Sequence, residues 1–335
     1  MKSLSSGAIA GAPAQICAIF PGALGDFICF LPALHALRQE GLIDLYARSE
    51  FSDLAPEGVT VRSLECSEIG ELFRPEQAAR AAQDRFCRYA AVYSWHGSRN
   101  PEFVRRLEAI TSGKAQCFAF RPAYARGHQA DYYLGCVRPQ AARSQPAAIN
   151  VGAEAARWRE VYWTRHSLEN RPVLSVAPGS GAREKNWPAQ FFATVVEWWR
   201  NATGGEVLLL VGPVERELGG LDLLFERCIV AEDLSLAQVA AALTGSVLYL
   251  GNDSGISHLA GALGVRTVAL FGPSDPFEWA PCGNKVVVLR HGLACSPCGG
   301  QTMKICPHRA CLREFSAREV ISAMARLPEV VSLTR

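Results

Sequence analysis

Short apolar runs alternate with helical patterns along the whole chain, and this alternation predicts the architecture. In the first half the strand-like runs are Ile16–Phe20, Asp44–Ala47, Val59–Arg62, Ala90–Ser94 and Gln116–Phe120. Helical spacing of apolar positions covers about Asp26 to Glu40, Glu76 to Tyr89 and Pro101 to Ile110. A second series opens after Arg171-Pro172, with strands at Val173–Ala177, Glu206–Val211, Cys228–Ala231, Val247–Leu250, Thr267–Phe271 and Lys285–Leu289. Its helices run from Pro188 to Asn201, from Leu236 to Leu243 and from Ile256 to Leu263. Ser235-Leu-Ala-Gln238 and Ser316-Ala-Arg-Glu319 read as capping boxes, the second opening a final helix that reaches about Arg326. Strands that alternate with helices in this way build parallel sheets covered on both faces.

The expected fold class is therefore α/β, with two doubly wound, Rossmann-like domains facing a cleft. They span residues 1–168 and 169–315, and the helix within 316–335 is expected to pack back on the N-terminal domain. At 335 residues the chain is long enough for two such cores, and with 49% hydrophobic residues it is globular, not disordered.

A formal net charge of +2, with no basic run longer than the Arg105-Arg106 pair, gives no field that argues for nucleic acid. The run Ile16 to Phe20 is too short for a signal-peptide core, and no segment approaches a membrane span. A cytoplasmic protein is expected, with peripheral contact at the cytoplasmic face of the inner membrane left open. Of the 12 cysteines, most lie singly in apolar or helical contexts, as buried thiols do. Cys295, Cys298, Cys306 and Cys311 cluster, which in a cytosolic chain suggests zinc ahead of a disulfide. Their spacing fits no standard zinc module, so reduced thiols are expected over a structural metal, and no cofactor is expected.

Ligands of doubly wound sheets bind just beyond the carboxyl ends of strands. The first strand ends in Phe20-Pro-Gly-Ala-Leu-Gly-Asp26, where Gly22 and Gly25 allow a tight turn and close backbone approach. Asp26 opens the next helix, either as its cap or as a general base. The dinucleotide fingerprint Gly-x-Gly-x-x-Gly is absent there, which argues against a nicotinamide enzyme. In the second half, Ala177-Pro-Gly-Ser-Gly-Ala-Arg-Glu-Lys-Asn-Trp-Pro188 is a glycine-rich turn whose Arg183 and Lys185 suit a diphosphate. It lacks the Gly-Lys-Ser/Thr ending of a P-loop. Glu215 and Glu217 follow the next strand, where a carboxylate often holds ribose hydroxyls, and both are equally open to a surface-helix reading. Glu232-Asp-Leu-Ser235 follows the third strand and could edge a base pocket. In Gly251-Asn-Asp-Ser-Gly-Ile-Ser-His258, Asp253 or Ser254 can cap the helix while Gly255 lets a phosphate approach its free N–H groups. In the turn Ser94-Trp-His-Gly-Ser-Arg-Asn100, His96 and Arg99 either contact an acidic or phosphorylated sugar or form a polar loop. Trp198-Trp199 reads as core packing.

These motifs together resemble glycosyltransferase family 9, the ADP-heptose:lipopolysaccharide heptosyltransferases. Asp253-Ser-Gly-x-x-His258, Ala260-Gly-Ala-Leu-Gly-Val and Leu270-Phe-Gly-Pro-Ser274 carry the resemblance, with Gly22-x-x-Gly25-Asp26, Pro32 and Arg183-x-Lys185-x-Trp187-Pro188. It implies a GT-B fold, an N-terminal acceptor domain and a C-terminal nucleotide-sugar domain. By the same resemblance Asp26 is the catalytic base, and Lys185, with Arg183, meets the donor phosphates. Asp253, Ser254, Gly255 and His258 form the donor-binding helix start, Glu215 takes the ribose, Leu234 packs on the adenine, and Ser180 and Gly181 occupy a donor-contact position. Gly25, His96 and Arg99 are the acceptor-side candidates. The implied partners are a nucleotide-sugar, with ADP-heptose as donor, and a lipid-linked or glycan acceptor of the lipopolysaccharide core or a related envelope glycan. No Asp-x-Asp pair is present to hold a divalent metal, so the leaving charge falls on Lys185 and helix N–H groups, and one displacement inverts the anomeric centre. Two further readings keep the fold: a nucleotide-sugar epimerase or hydrolase, and a non-catalytic nucleotide-sugar binding protein.

Overall fold

The computed structural model describes residues 14–74, 79–122, 127–141 and 144–334, with Val214 and Leu218 by backbone alone. Contacts divide the chain into two units, one drawn from residues 1–21, 34–49 and 57–120, the other from 22–33, 50–56 and 121–335.

In the first unit the strands are β1 (Ala14–Ile19), β2 (Gly41–Ala47), β3 (Val59–Ser63), β4 (Ala91–Ser94) and β5 (Ala115–Cys117), in the order β3-β2-β1-β4-β5. Every pairing among them is parallel, with Ile16 opposite Ile43 on one side and Ala91 on the other. The expected helix at Pro101–Ile110 forms with those bounds, capped by Asn100 Oδ1. The start of the helix expected from Glu76 lies outside the described residues, and Arg80–Phe86 is helical. Cys17, Ile19, Val92, Phe86, Phe103 and Leu107 fill the core between sheet and helices.

The second unit holds β6 (Val173–Ala177), β7 (Glu206–Val211), β8 (Ile229–Glu232), β9 (Leu248–Asn252), β10 (Thr267–Leu270) and β11 (Val286–Leu289), in the order β11-β10-β9-β6-β7-β8. All these pairings are parallel. Residues of β6, β9 and β10 are buried throughout, because helices cover both faces. Counted within the unit, the order is the doubly wound Rossmann order, and winding reverses between β6 and β9. Trp199, like its neighbour Trp198, serves the core as expected, packing with Phe192, Val196, Leu209 and Leu250.

Domain limits differ from the sequence expectation. Residues 121–168 belong with the second sheet, because the helix Ala153–Arg165, not foreseen, is tied to it. Tyr162 Oη donates to Val230 O at 3.0 Å and Arg159 Nη1 to Thr244 Oγ1 at 3.1 Å. The C-terminal helix Ala317–Met324 has its capping box, and it packs on the second unit's core, where the N-terminal domain was expected. Its Val320 and Met324, with Val330 beyond, are fully buried there, and Phe315 O accepts from Trp187 Nε1 at 2.7 Å. A second unforeseen helix, Gln129–Val137, lies in the same unit. No helix among the described residues is long and apolar enough to cross a membrane.

Candidate active site

The reversal point of the second sheet is where its polar groups gather. β9 ends in Asn252, a fully buried side chain that staples the loop following β6 at both ends. Asn252 Nδ2 donates to Pro178 O at 2.6 Å, and its Oδ1 accepts from Trp187 N–H at 3.0 Å. Within that loop Ser180 Oγ lies 2.6 Å from Asn186 Oδ1 and 2.7 Å from Ala182 O. The loop is therefore a braced structure, and its 3₁₀ turn Arg183–Lys185 aims Lys185 at β9, where Nζ meets Asp253 Oδ2 at 2.6 Å. Ser254 caps the helix Gly255–Ala262 by accepting from Ser257 N–H, so of the two candidate caps Ser254 is the one used.

Two helix starts meet here. A β-carbon on Gly255 would lie 2.8 Å from Leu24 Cβ and 3.1 Å from Gly25 N, and one on Gly25 would lie 3.2 Å from His258 Cδ2. Gly255 is thus required by the close approach of the helix that starts at Leu24, and not only by access for a ligand. The first turn of that helix, within residues 22–33 of the second unit, carries Asp26. Asp26 is not the N-cap: its Oδ2 reaches back to Ala23 N–H at 3.3 Å from inside the first turn. Its two oxygens also accept from Arg121 Nη2 at 3.0 and 3.2 Å. The Arg121 guanidinium lies 4.9 Å from the centre of the Trp279 ring.

His258 is 3% exposed, and its Nδ1 lies 3.7 Å from Cys29 Sγ. Burial pushes its pKa down to about 4, with the charge of Asp253 opposing the shift, so the imidazole is neutral near pH 7. Burial likewise raises the Cys29 thiol well above its usual range.

One cavity of about 820 Å³ unites Gly25, Asp26, Gly181, Lys185, Asp253, Ser254, Gly255 and His258. Its lining also includes groups that the sequence did not single out, among them Arg121, Asp275, Trp279 and Lys304. Arg121 directly follows an expected strand, the position at which ligand-facing groups of such sheets stand, whereas Trp279 has no local signal.

Several sequence candidates stand elsewhere. Arg183 lines a different cavity, because residues two apart in a 3₁₀ turn point in divergent directions. Ser180 braces its own loop and is absent from the lining. Glu215 Oε2 accepts from Gly212 N–H at 2.9 Å, capping its own helix, and the side chain packs over Gly179, where a β-carbon would overlap it. Leu234 is half-buried after β8, next to Asp233 with its left-handed φ of 54°. Glu215 and Leu234 are likewise outside the cavity's lining. His96 and Arg99 belong to the first unit. There His96 packs edge-on against Phe73 and Phe103, and burial lowers its pKa, while Arg99 is exposed. Cys295, Cys298 and Cys306 lie near Cys311, whose thiol pKa is raised by burial and by their charges, and among the described residues no group of three or more His, Cys, Asp or Glu has the geometry of a metal site. Instead Cys298 N–H donates to Pro273 O at 2.9 Å, and Cys306 Sγ accepts from Arg309 N–H at 3.4 Å.

Residues 121–307 match the model of glycosyltransferase family 9 (heptosyltransferase). The chain belongs to this family. Within family 9 it is 29% identical, over 168 residues, to lipooligosaccharide heptosyltransferase 2 of Campylobacter jejuni, covering 47% of this chain and 52% of that one. The chain spans about half the length of the curated relatives it matches. In three dimensions it superposes on the family 9 glycosyl transferase of Veillonella parvula with a TM-score of 0.75 and 22% identity, over 97% of this chain and 100% of the other. The ADP-heptose LPS heptosyltransferase II of E. coli gives a TM-score of 0.70 and 19% identity, over 95% and 99% of the two chains. At these identities the superpositions establish the fold, which is GT-B with two Rossmann-like α/β domains.

Proposed function

We propose that the chain is an inverting, metal-independent glycosyltransferase that moves heptose from ADP-heptose to the lipopolysaccharide core or a related envelope glycan. The observation that carries this reading is the single cavity shared by Asp26, the Lys185–Asp253 pair and the start of helix Gly255–Ala262. The matched relative in Campylobacter jejuni is a heptosyltransferase, and the E. coli fold neighbour is described as an ADP-heptose enzyme, which supports the donor assignment.

In the proposed reaction an Asp26 oxygen accepts the proton of the acceptor hydroxyl. The acceptor oxygen forms its bond to the anomeric carbon as the bond from that carbon to the diphosphate breaks, and ADP leaves with the electron pair. One displacement from the opposite face inverts the configuration. Arg121 and Ala23 N–H occupy three of the roughly four acceptor positions of the Asp26 carboxylate, which orients it and leaves room for one hydroxyl. Lys185 retains ammonium N–H groups beyond the one given to Asp253, and with the helix start it meets the charge that develops on the leaving diphosphate.

Calorimetric titration with ADP, UDP and GDP, without added metal, tests the reading. Selective binding of ADP, weakened at least about tenfold by Lys185→Ala, is the expected result, a loss of about 1.4 kcal/mol. Preference for UDP or GDP would overturn the ADP-heptose assignment. Absence of nucleotide binding would leave the chain without the proposed activity.

A further inference from the structure

A second cavity, of about 560 Å³, lies on the other side of the braced loop within the same unit. Arg183, Arg309 and Arg313 all line it, and among the described residues no carboxylate does. Arg309 is half-buried and Arg183 and Arg313 are exposed, and none of the three is in an ion pair among the described residues, whereas half-buried Arg62, Arg85, Arg200, Arg227 and Arg266 are. Three guanidinium groups held at one concavity repel one another, and an anion placed among them removes that repulsion while accepting their N–H groups in pairs. The rest of the wall fits the same ligand. Gly219 and Gly220, with φ of 62° and 79°, present backbone with open space where side chains would stand. Ala189 and Gln190 line the cavity at the start of helix Ala189–Thr203, which has no side-chain cap. A volume of this size suits a small molecule, not a lone ion.

We infer that this cavity is a second anion site, for a compound bearing a phosphate or diphosphate group, separate from the cavity that holds Lys185. The two sites share a wall: Arg309 Nη1 donates to Arg183 O at 3.3 Å, in the 3₁₀ turn that ends at Lys185. An occupant among the arginines therefore bears on the turn that positions the Lys185 ammonium.

Pyrophosphate titrated into the full chain tests the site without relying on the proposed reaction. In Lys185→Ala, pyrophosphate still binds. Adding Arg309→Gln and Arg313→Gln to that chain weakens binding at least about tenfold, while Arg313→Lys, which keeps the charge, weakens it less than about threefold. Arg313 is exposed, so its single substitution to Gln leaves the fold intact and serves where the double variant melts early. Loss of all pyrophosphate binding in Lys185→Ala would overturn the inference, as would binding that the Arg→Gln changes leave untouched.

Discussion

Asp26 and Asp253 line one cavity, both 6% exposed and both within reach of a cation, yet they are held in different ways. Asp26 is gripped on both oxygens by the planar guanidinium of Arg121, which is itself laid against Trp279, and on one oxygen by the N–H of Ala23. Among the described residues the Asp253 carboxylate meets a flexible ammonium alone, and the rigidity comes from the other side, through the loop that Asn252 and Ser180 brace around Lys185. The first arrangement fixes a carboxylate in place. The second fixes the root of a donor and leaves its tip free to turn toward an anion. In the proposed reaction these two similar ion pairs would serve opposite ends of one displacement, with the carboxylate as the working group in one and the cation in the other.

Removing the charge of the first pair is expected to have the largest effect. Asp26→Asn preserves shape but cannot take the proton, so transfer falls roughly 10²- to 10⁴-fold, while ADP affinity stays within about threefold. Assay of ADP release with donor and acceptor, beside a nucleotide titration, checks both halves. A variant with full activity would remove the base from Asp26 and dissolve the contrast between the pairs.

His258 feels the charges of both carboxylates and tests how dry the region is. Its folded pKa of about 4 lies below the unfolded value of 6.5, so the unfolded chain binds more protons between these limits. Stability is therefore level above the upper value and falls by about 3 kcal/mol as the pH drops to the lower one. Denaturant unfolding across that range should show the decline, and His258→Gln should flatten it. An unchanged slope in the variant would assign the acid limb to other groups.

The smallest effect compares two glycines of the cavity. Gly255→Ala forces a β-carbon against Leu24 and should cost about 1–3 kcal/mol. Gly181→Ala meets nothing within 4 Å and should stay within about 0.5 kcal/mol, as thermal melts of the two would report. Equal losses would mean that the helix starts are not in contact at Gly255.

Much of this could be read from local pattern. The eleven strands among the described residues lie within a few residues of the expected runs, most plainly β6, β9 and β10, because a parallel strand buried on both faces is a continuous apolar run. Asp26, Lys185, Asp253, Ser254 and His258, which share one cavity, were legible as candidates because each follows a strand in a small-residue turn. The helices Gln129–Val137 and Ala153–Arg165 escaped notice for the opposite reason. The second buries only Ala155 and Trp163, so no apolar stripe marks its period. The domain limit failed with it, since a helix without such a stripe gives no hint of which sheet it will join.

By itself, then, the chain's pattern of apolar runs and turn residues determined two parallel-sheet units and the loops that line the cavity, since burial and backbone freedom are local demands. Tertiary structure alone decided the partners. Arg121 reaches Asp26 across 95 positions, Asn252 staples Pro178 and Trp187, and Arg309 donates to the backbone carbonyl of Arg183. Such pairings depend on where the winding of the sheet brings distant strand ends together, and no local period encodes that distance.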